Sequence, residues 1–198
     1  MSDKKIKYLF LDIDGVLNNP TAMDLANNEE IFSDENFANY QYLYKFLSQK
    51  YEVRVVLSSS WRSNPRLIKI IEDYREKAAD KSCLTIFDKT PDSWKQREEE
   101  IEEYLVEKNI SYKDIIVLDD SFMPDFTQKG VKGIRTSVFD GLRMSEVMEF
   151  IHTDFNLVFG HNHVVSEEFI HEMSKRKREW EMYNSWYLIF LISFPVRY

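Results

Sequence analysis

Ile6-Lys7-Tyr8-Leu9-Phe10-Leu11-Asp12-Ile13-Asp14-Gly15-Val16-Leu17 is the stretch that decides how this chain folds. Its first half is a short, nearly all-apolar run, the pattern of a strand buried on both faces of a parallel sheet. The run then stops at two carboxylates and a glycine. A strand ending this way places charge at a sheet edge and gives the backbone a residue free to turn sharply away. Similar apolar runs recur at Val53 to Leu57, Leu84 to Phe87 and Ile115 to Leu118. Between them lie helical patterns at about Phe37 to Gln49, Pro65 to Lys77 and Arg97 to Lys108. In the last of these, Glu98, Glu99 and Glu100 load the helix start, where the macrodipole favours acids.

Strands and helices alternating in this order predict an α/β protein with a Rossmann-like, doubly wound parallel sheet. Sheets of this kind bind ligands beyond the carboxyl ends of their strands, at the switch point. The polar stretch Asn18 to Glu35 reads as a surface loop. Beyond Gly141 the pattern changes, with helical segments at Ser145 to Ile151 and Ser166 to about Tyr183. Residues 1–144 are therefore expected to form the core, and residues 145–198 a helical C-terminal extension packed on it.

At 198 residues, with 43% hydrophobic residues, the chain is long enough to bury a real core in one domain. A net charge of −8 argues against a protein that coats nucleic acid irrespective of sequence, which needs a broad basic surface. The single cysteine, Cys83, precludes an internal disulfide and suits a reducing compartment. The apolar run ending at Asp12 is too brief for a signal peptide, and no stretch approaches the length of a membrane span. A cytoplasmic protein with no membrane partner is expected.

The chemistry sits where the strands end. Asp12 and Asp14 converge on one side of the sheet edge and repel each other unless a hard divalent cation lies between them. With a phosphate monoester bound, Asp12 can attack phosphorus while Asp14 protonates the leaving oxygen and later deprotonates water. The plainer alternative is a turn, which Asp and Gly favour anyway. After the second strand, Ser58-Ser59-Ser60 either cradles a phosphate or caps a helix, with Ser58 the first choice for the phosphate contact and Ser59 close behind. Arg62 is a candidate for a further phosphate or substrate contact. The pair Asp119-Asp120 follows the fourth strand and completes the metal-binding set of Asp12, Asp14, Asp119 and Asp120, with Asp120 favoured as a direct ligand. Arg97 is best placed to balance the phosphate charge and Lys95 is second; an ordinary surface ion pair is the alternative for Arg97.

In order along the chain, these elements resemble the four motifs of the haloacid-dehalogenase-like (HAD) phosphatase superfamily, over roughly Ile6 to Leu142. Asp12-Ile13-Asp14-Gly15-Val16-Leu17 is similar to the first motif, Ser58 takes the second-motif position, Arg97 the third, and Asp119-Asp120 the fourth. The resemblance implies Asp12 as nucleophile, Asp14 as acid/base, Mg²⁺ as cofactor and an aspartyl-phosphate intermediate. Asp14 separates phosphatase-like members from true dehalogenases, so dehalogenation is set aside. Leu57-Ser58-Ser59-Ser60-Trp61-Arg62, Arg97-x-x-Glu100-Ile101, Leu118-Asp119-Asp120 and Gly141-Leu142 together look like a branch associated with RNA-repair and phage phosphatases. Arg97 departs from the commoner lysine of the third motif.

Neither Leu17 to Val53 nor Arg62 to Arg97 leaves room for a full cap domain, which implies an open site and a bulky phosphorylated substrate such as a nucleotide or nucleic-acid end. Trp61, Arg62 and the basic run Lys175 to Arg178 are the candidate selectivity surfaces. His161-Asn162-His163 reads as a solvated loop rather than a metal site. The tail Trp186 to Phe194 is expected to pack on the domain, or else to form a homodimer contact. A non-catalytic regulatory or binding module on the same fold, or a small-metabolite phosphatase, are the alternative functions. All four motif positions carry catalytically competent residue types, which favours the enzyme.

Overall fold

Five strands, β1 (Ile6–Leu11), β2 (Glu52–Leu57), β3 (Ile86–Lys89), β4 (Ile115–Asp119) and β5 (Lys132–Arg135), form one parallel sheet in the order β3-β2-β1-β4-β5. The computed structural model describes residues 4–20, 32–93, 95–121, 126 and 128–155. Apolar runs at the centre of the sheet explain the order: Leu9, Phe10 and Leu11 of β1 are fully buried, and every residue of β4 is buried. The chain winds outward from β1 through β2 to β3, then crosses to β4 on the other side of β1. Winding therefore reverses between β1 and β4, where a crevice opens at the strands' carboxyl ends.

The helices are α1 (Asp34–Lys50), α2 (Pro65–Lys77), α3 (Arg97–Lys108) and α4 (Met144–Phe155). Local signals start and stop them. Ser33 caps α1 by accepting from the amide of Asn36, which starts the helix three residues before the apolar periodicity alone suggests. Asn64 caps α2 and Pro65 opens it; Asn109, in the left-handed region at φ 52°, closes α3. One face of the sheet presents Phe10, Val56 and Val117 to Ile101, Tyr104 and Leu105 of α3. Each fully buried side chain of this size stabilises the fold by roughly 2 kcal/mol.

Two strands differ from the sequence reading. The third strand begins at Ile86 rather than Leu84, because Asp80 accepts from the Ser82 amide and starts a 3-10 turn that ends at Leu84. β5 escaped the sequence reading because it is a short edge strand in which Ile134 alone is fully buried. The helix expected at the start of the extension, α4, buries Val147, Phe150 and Ile151 and packs against β5 and α1. The compact unit holding the sheet accordingly runs Met1–Leu157, and a second unit spans Val158–Tyr198. His161 to His163, Lys175 to Arg178, the helical pattern from Ser166 and the apolar tail lie outside the described residues. Among the described residues no helix is long and apolar enough to cross a membrane.

Cys83 is fully buried, and its carbonyl accepts a hydrogen bond from the Tyr40 hydroxyl at 2.5 Å. Burial, with the nearby charge of Asp80 adding to it, pushes the thiol up to about 12. In the native protein Cys83 should therefore react with an aromatic disulfide reagent at least ~100-fold more slowly than in denaturant, where one thiol per chain is titrated. Rapid native labelling would show that the Tyr40–Cys83 packing opens readily.

Candidate active site

The strand ladder continues one residue past the strands. The amide of Asp12 donates to Leu118 O at 3.0 Å, that of Ser58 to Leu11 O at 3.0 Å, and that of Thr90 to Leu57 O at 3.1 Å. Registers Leu11↔Leu57 and Leu11↔Leu118 then place Asp12 between Ser58 and Asp119. Asp12 and Asp119 are buried, at 3% and 1% exposure, and one carboxylate oxygen from each lies within 4.8 Å of the other and of one from Asp120.

Such a cluster is electrostatically costly. Burial raises the affinity of Asp12 for its proton, opposed by Arg97, the Ile13 amide and the Ser59 hydroxyl. Burial and the neighbouring charge of Asp12 push Asp119 up to about 7 despite Arg97. Arg97 Nη1 stands 3.1 Å from Asp12 Oδ1 and 3.4 Å from Asp119 Oδ2. Asp119 Oδ1 accepts from the Ser121 amide, whereas Oδ2 is buried without a hydrogen-bond donor. A single guanidinium cannot neutralise three carboxylates, and an all-oxygen set with a buried free lone pair fits a hard divalent cation. Gly15, at φ +69°, lets the backbone pass beside Asp120: a Cβ at this position would lie 2.9 Å from Asp120 Oδ2.

Asp14, expected in the same metal-binding set, stands apart from that cluster in this structure. Its Oδ1 accepts from Asn18 Nδ2 at 2.9 Å and from Trp61 Nε1 at 3.0 Å, and these two donors turn the carboxylate aside. It is exposed where Asp12 is buried, so the two carboxylates occupy different environments two residues apart in the chain. Both expected cradle serines are at the edge. Ser58 is fully buried and its hydroxyl has no partner, while Ser59 caps the 3-10 turn Ser60–Ser63 and reaches Asp12. Of the two candidate cations, Arg97 faces the cluster and Lys95 instead pairs with Glu103.

Arg62 and Trp61 are not substrate surfaces, contrary to expectation. Arg62, only 9% exposed, donates to the carbonyls of Ser58, Ser59 and Pro91 and pairs with buried Glu100 at 2.7 Å. The side chain thus ties the serine loop to the segment after β3 and to the start of α3. Trp61, 1% exposed, spends its indole N–H on Asp14. On the far side, Thr136 Oγ1 donates to Gly15 O at 2.6 Å and the Leu142 amide to Val16 O at 2.9 Å, so the loop of residues 136–142 braces the Asp14-Gly15 turn. Asn36 Nδ2 holds that loop through the carbonyls of Asp140 and Leu142, close enough to Gly141 that a Cβ there would meet Asn36 Oδ1 at 2.5 Å. These supports are isolated polar residues far apart in the chain, and no local pattern announces them.

Residues 8–147 match the family described as the HAD domain in Swiss Army Knife RNA repair proteins. Among solved structures, a protein described as a 3-deoxy-D-manno-octulosonate 8-phosphate phosphatase from Vibrio cholerae is 13% identical, with a TM-score of 0.39, covering 80% of this chain and 90% of its own. A hypothetical protein from Xanthomonas campestris is 14% identical, with a TM-score of 0.38, covering 80% and 86%. No curated protein matches the sequence.

Replacing Arg62 by Met leaves Glu100 buried and unpaired and frees three loop carbonyls. This substitution should cost about 3 kcal/mol or more of unfolding free energy in a denaturant titration. The double variant Arg62→Met, Glu100→Leu should recover a large part of the loss, and no recovery would mean that the carbonyl contacts dominate.

Proposed function

We propose that this chain, which belongs to the HAD domains of Swiss Army Knife RNA repair proteins and is a phosphatase of that type, hydrolyses phosphomonoesters through an aspartyl-phosphate on Asp12. The observation that carries this reading is the convergence of Asp12, Asp119 and Asp120 beside Arg97 at the sheet's switch point. Asp12, Asp119 and Asp120 would hold Mg²⁺, which when bound neutralises the carboxylates and polarises the phosphoryl group.

One Asp12 oxygen attacks phosphorus, the phosphorus–oxygen bond to the leaving group breaks, and Asp14 gives that oxygen its proton. Asp14 then takes a proton from water, the water oxygen attacks the aspartyl-phosphate, and inorganic phosphate leaves with Asp12 regenerated. The indole of Trp61 and the amide of Asn18 orient Asp14 for both transfers, and its exposure gives water access. Arg97 and the Ser58 hydroxyl supply charge and a hydrogen bond to the phosphoryl oxygens.

For the substrate we favour a nucleic-acid end or nucleotide. The interval from Arg62 to Arg97 is filled by α2, a 3-10 turn and β3, which leaves this side of the site uncapped. Phe139, 71% exposed, stands on the loop that braces the Asp14-Gly15 turn, and Arg135 is exposed at the end of β5. An open aromatic and a cation beside a phosphate site suit a base and a second backbone phosphate.

Chelation should abolish hydrolysis of a chromogenic phosphate ester, and Mg²⁺ should restore it. Asp12→Asn should lower kcat on the order of a thousand-fold or more and form no phosphoenzyme. Asp14→Asn should instead accumulate acid-stable label from radiolabelled substrate. Near-wild-type turnover in Asp12→Asn would move the nucleophile elsewhere.

An oligonucleotide with a terminal phosphate should show a higher kcat/KM than a small sugar phosphate, with an advantage that shrinks as salt rises. Phe139→Ala should remove roughly ten-fold of that advantage and leave the small ester unchanged. Equal efficiency on both substrates would point to a small-metabolite phosphatase.

A further inference from the structure

Beside Ser58 a second buried hydroxyl, that of Thr90, has no hydrogen-bond partner. Thr90 is 4% exposed, and its main-chain amide is spent on Leu57 O. A buried unpaired hydroxyl costs on the order of 1–3 kcal/mol unless something in use satisfies it.

The direction of this side chain follows from the sheet. Val55 pairs with Ile86 but Val56 pairs with Asp88, so Phe87 is an extra residue on β3. Past the bulge Leu57 pairs with Lys89, and Thr90 is next to Ser58. Without the extra residue Lys89 would hold that place; as it is, Lys89 Nζ turns away to Arg62 O at 3.1 Å. Asp88 accepts from the Tyr104 hydroxyl at 3.0 Å, which puts Asp88 in the row of Val56, Phe10 and Val117 that faces α3. Side chains two residues apart on a strand share a face. The next row is therefore Thr90, Ser58, Asp12 and Asp119, and it faces Arg97, which lies seven residues before Tyr104 on the same side of α3.

The segment carrying Thr90 is held rigidly. Arg62 donates to Pro91 O at 3.0 Å, Glu100 accepts from the Ser93 amide at 3.1 Å, and Ser63 donates to Asp92. Arg62 and Glu100 also pair with each other, so the same buried ion pair fixes both the serine loop and the Thr90 segment.

We infer that Thr90 is a substrate-contacting residue, whose hydroxyl donates to a phosphoryl oxygen alongside that of Ser58 and is set in phase by the bulge at Phe87. This inference rests on the phosphatase reading above. Neighbouring strands stand ~4.8 Å apart, and two hydroxyls at that spacing, each ~2.7 Å from an acceptor, grip two oxygens of one tetrahedral phosphoryl group.

The test compares Thr90→Val, which keeps the shape and removes the donor, with Thr90→Ser, which keeps the donor. Kinetics on para-nitrophenyl phosphate, competitive inhibition by inorganic phosphate, and thermal melting are measured for each in the full chain. Thr90→Val should raise both KM and the phosphate inhibition constant roughly ten-fold with an undiminished melting temperature, and Thr90→Ser should stay within about two-fold of wild type. Unchanged constants in Thr90→Val, beside an active wild type, overturn the assignment and leave the phosphatase standing. Equal impairment in Thr90→Ser marks a packing role and overturns it as well. A wild-type protein that neither hydrolyses the ester nor binds phosphate overturns the phosphatase reading itself.

Discussion

Three carboxylates crowded within 4.8 Å at the end of a buried sheet repel one another and resist leaving water, and the surrounding structure is arranged to hold them there. The strand ladder pins Asp12 and Asp119 by their backbones, which keeps the two side chains on adjacent strands. Arg97 supplies one compensating charge from the start of α3, and the remaining imbalance is the physical basis for a divalent cation. Gly15 keeps Asp120 within the group, because any larger residue would press on its carboxylate.

Around this cluster the polar residues divide into those that face the chemistry and those that hold the walls. Arg97 faces Asp12, and the buried hydroxyls of Ser58 and Thr90 have unspent hydrogen-bonding capacity. Arg62 and Glu100 have none to spare: they neutralise each other in the interior and staple the serine loop, the segment after β3 and the start of α3 together. A buried pair of this kind is weak evidence for added stability but a strong constraint on geometry, since breaking it exposes an uncompensated charge. Trp61 does for Asp14 what the strand ladder does for Asp12, fixing a carboxylate that otherwise has only a turn beneath it.

The contrast between Asp12 and Asp14 follows from this arrangement. One lies on the buried row of the sheet beside a cation; the other is exposed, oriented by an indole and an amide. A buried anion shielded from water is suited to attack on phosphorus, and an exposed carboxyl to trading protons with a leaving group and with water. Two residues of chain separate the two environments, because a strand residue and the turn that follows it see different solvent.

The alternation of apolar runs with helical patterns already determined a parallel sheet and, with β3 displaced, four of its five strands, and α2 and α3 fall where the periodicity and caps place them. Asp12, Ser58, Arg97 and Asp119-Asp120 were legible too, because each closes an apolar run or opens a helix and such junctions mark the ligand edge of a parallel sheet. Only the tertiary structure decided the rest. Arg62 and Trp61 read as surface selectivity residues until their partners appear 38 residues downstream at Glu100 and 47 upstream at Asp14. Asp14 turns to Trp61 and Asn18 for the same reason, and a one-residue bulge that no pattern in Ile86–Lys89 announces brings Thr90 beside Ser58. Local sequence encodes where backbone hydrogen bonds and hydrophobic burial begin and end, which are short-range preferences. The partner a buried polar group finds depends on which distant segments the fold brings within about 3 Å of it.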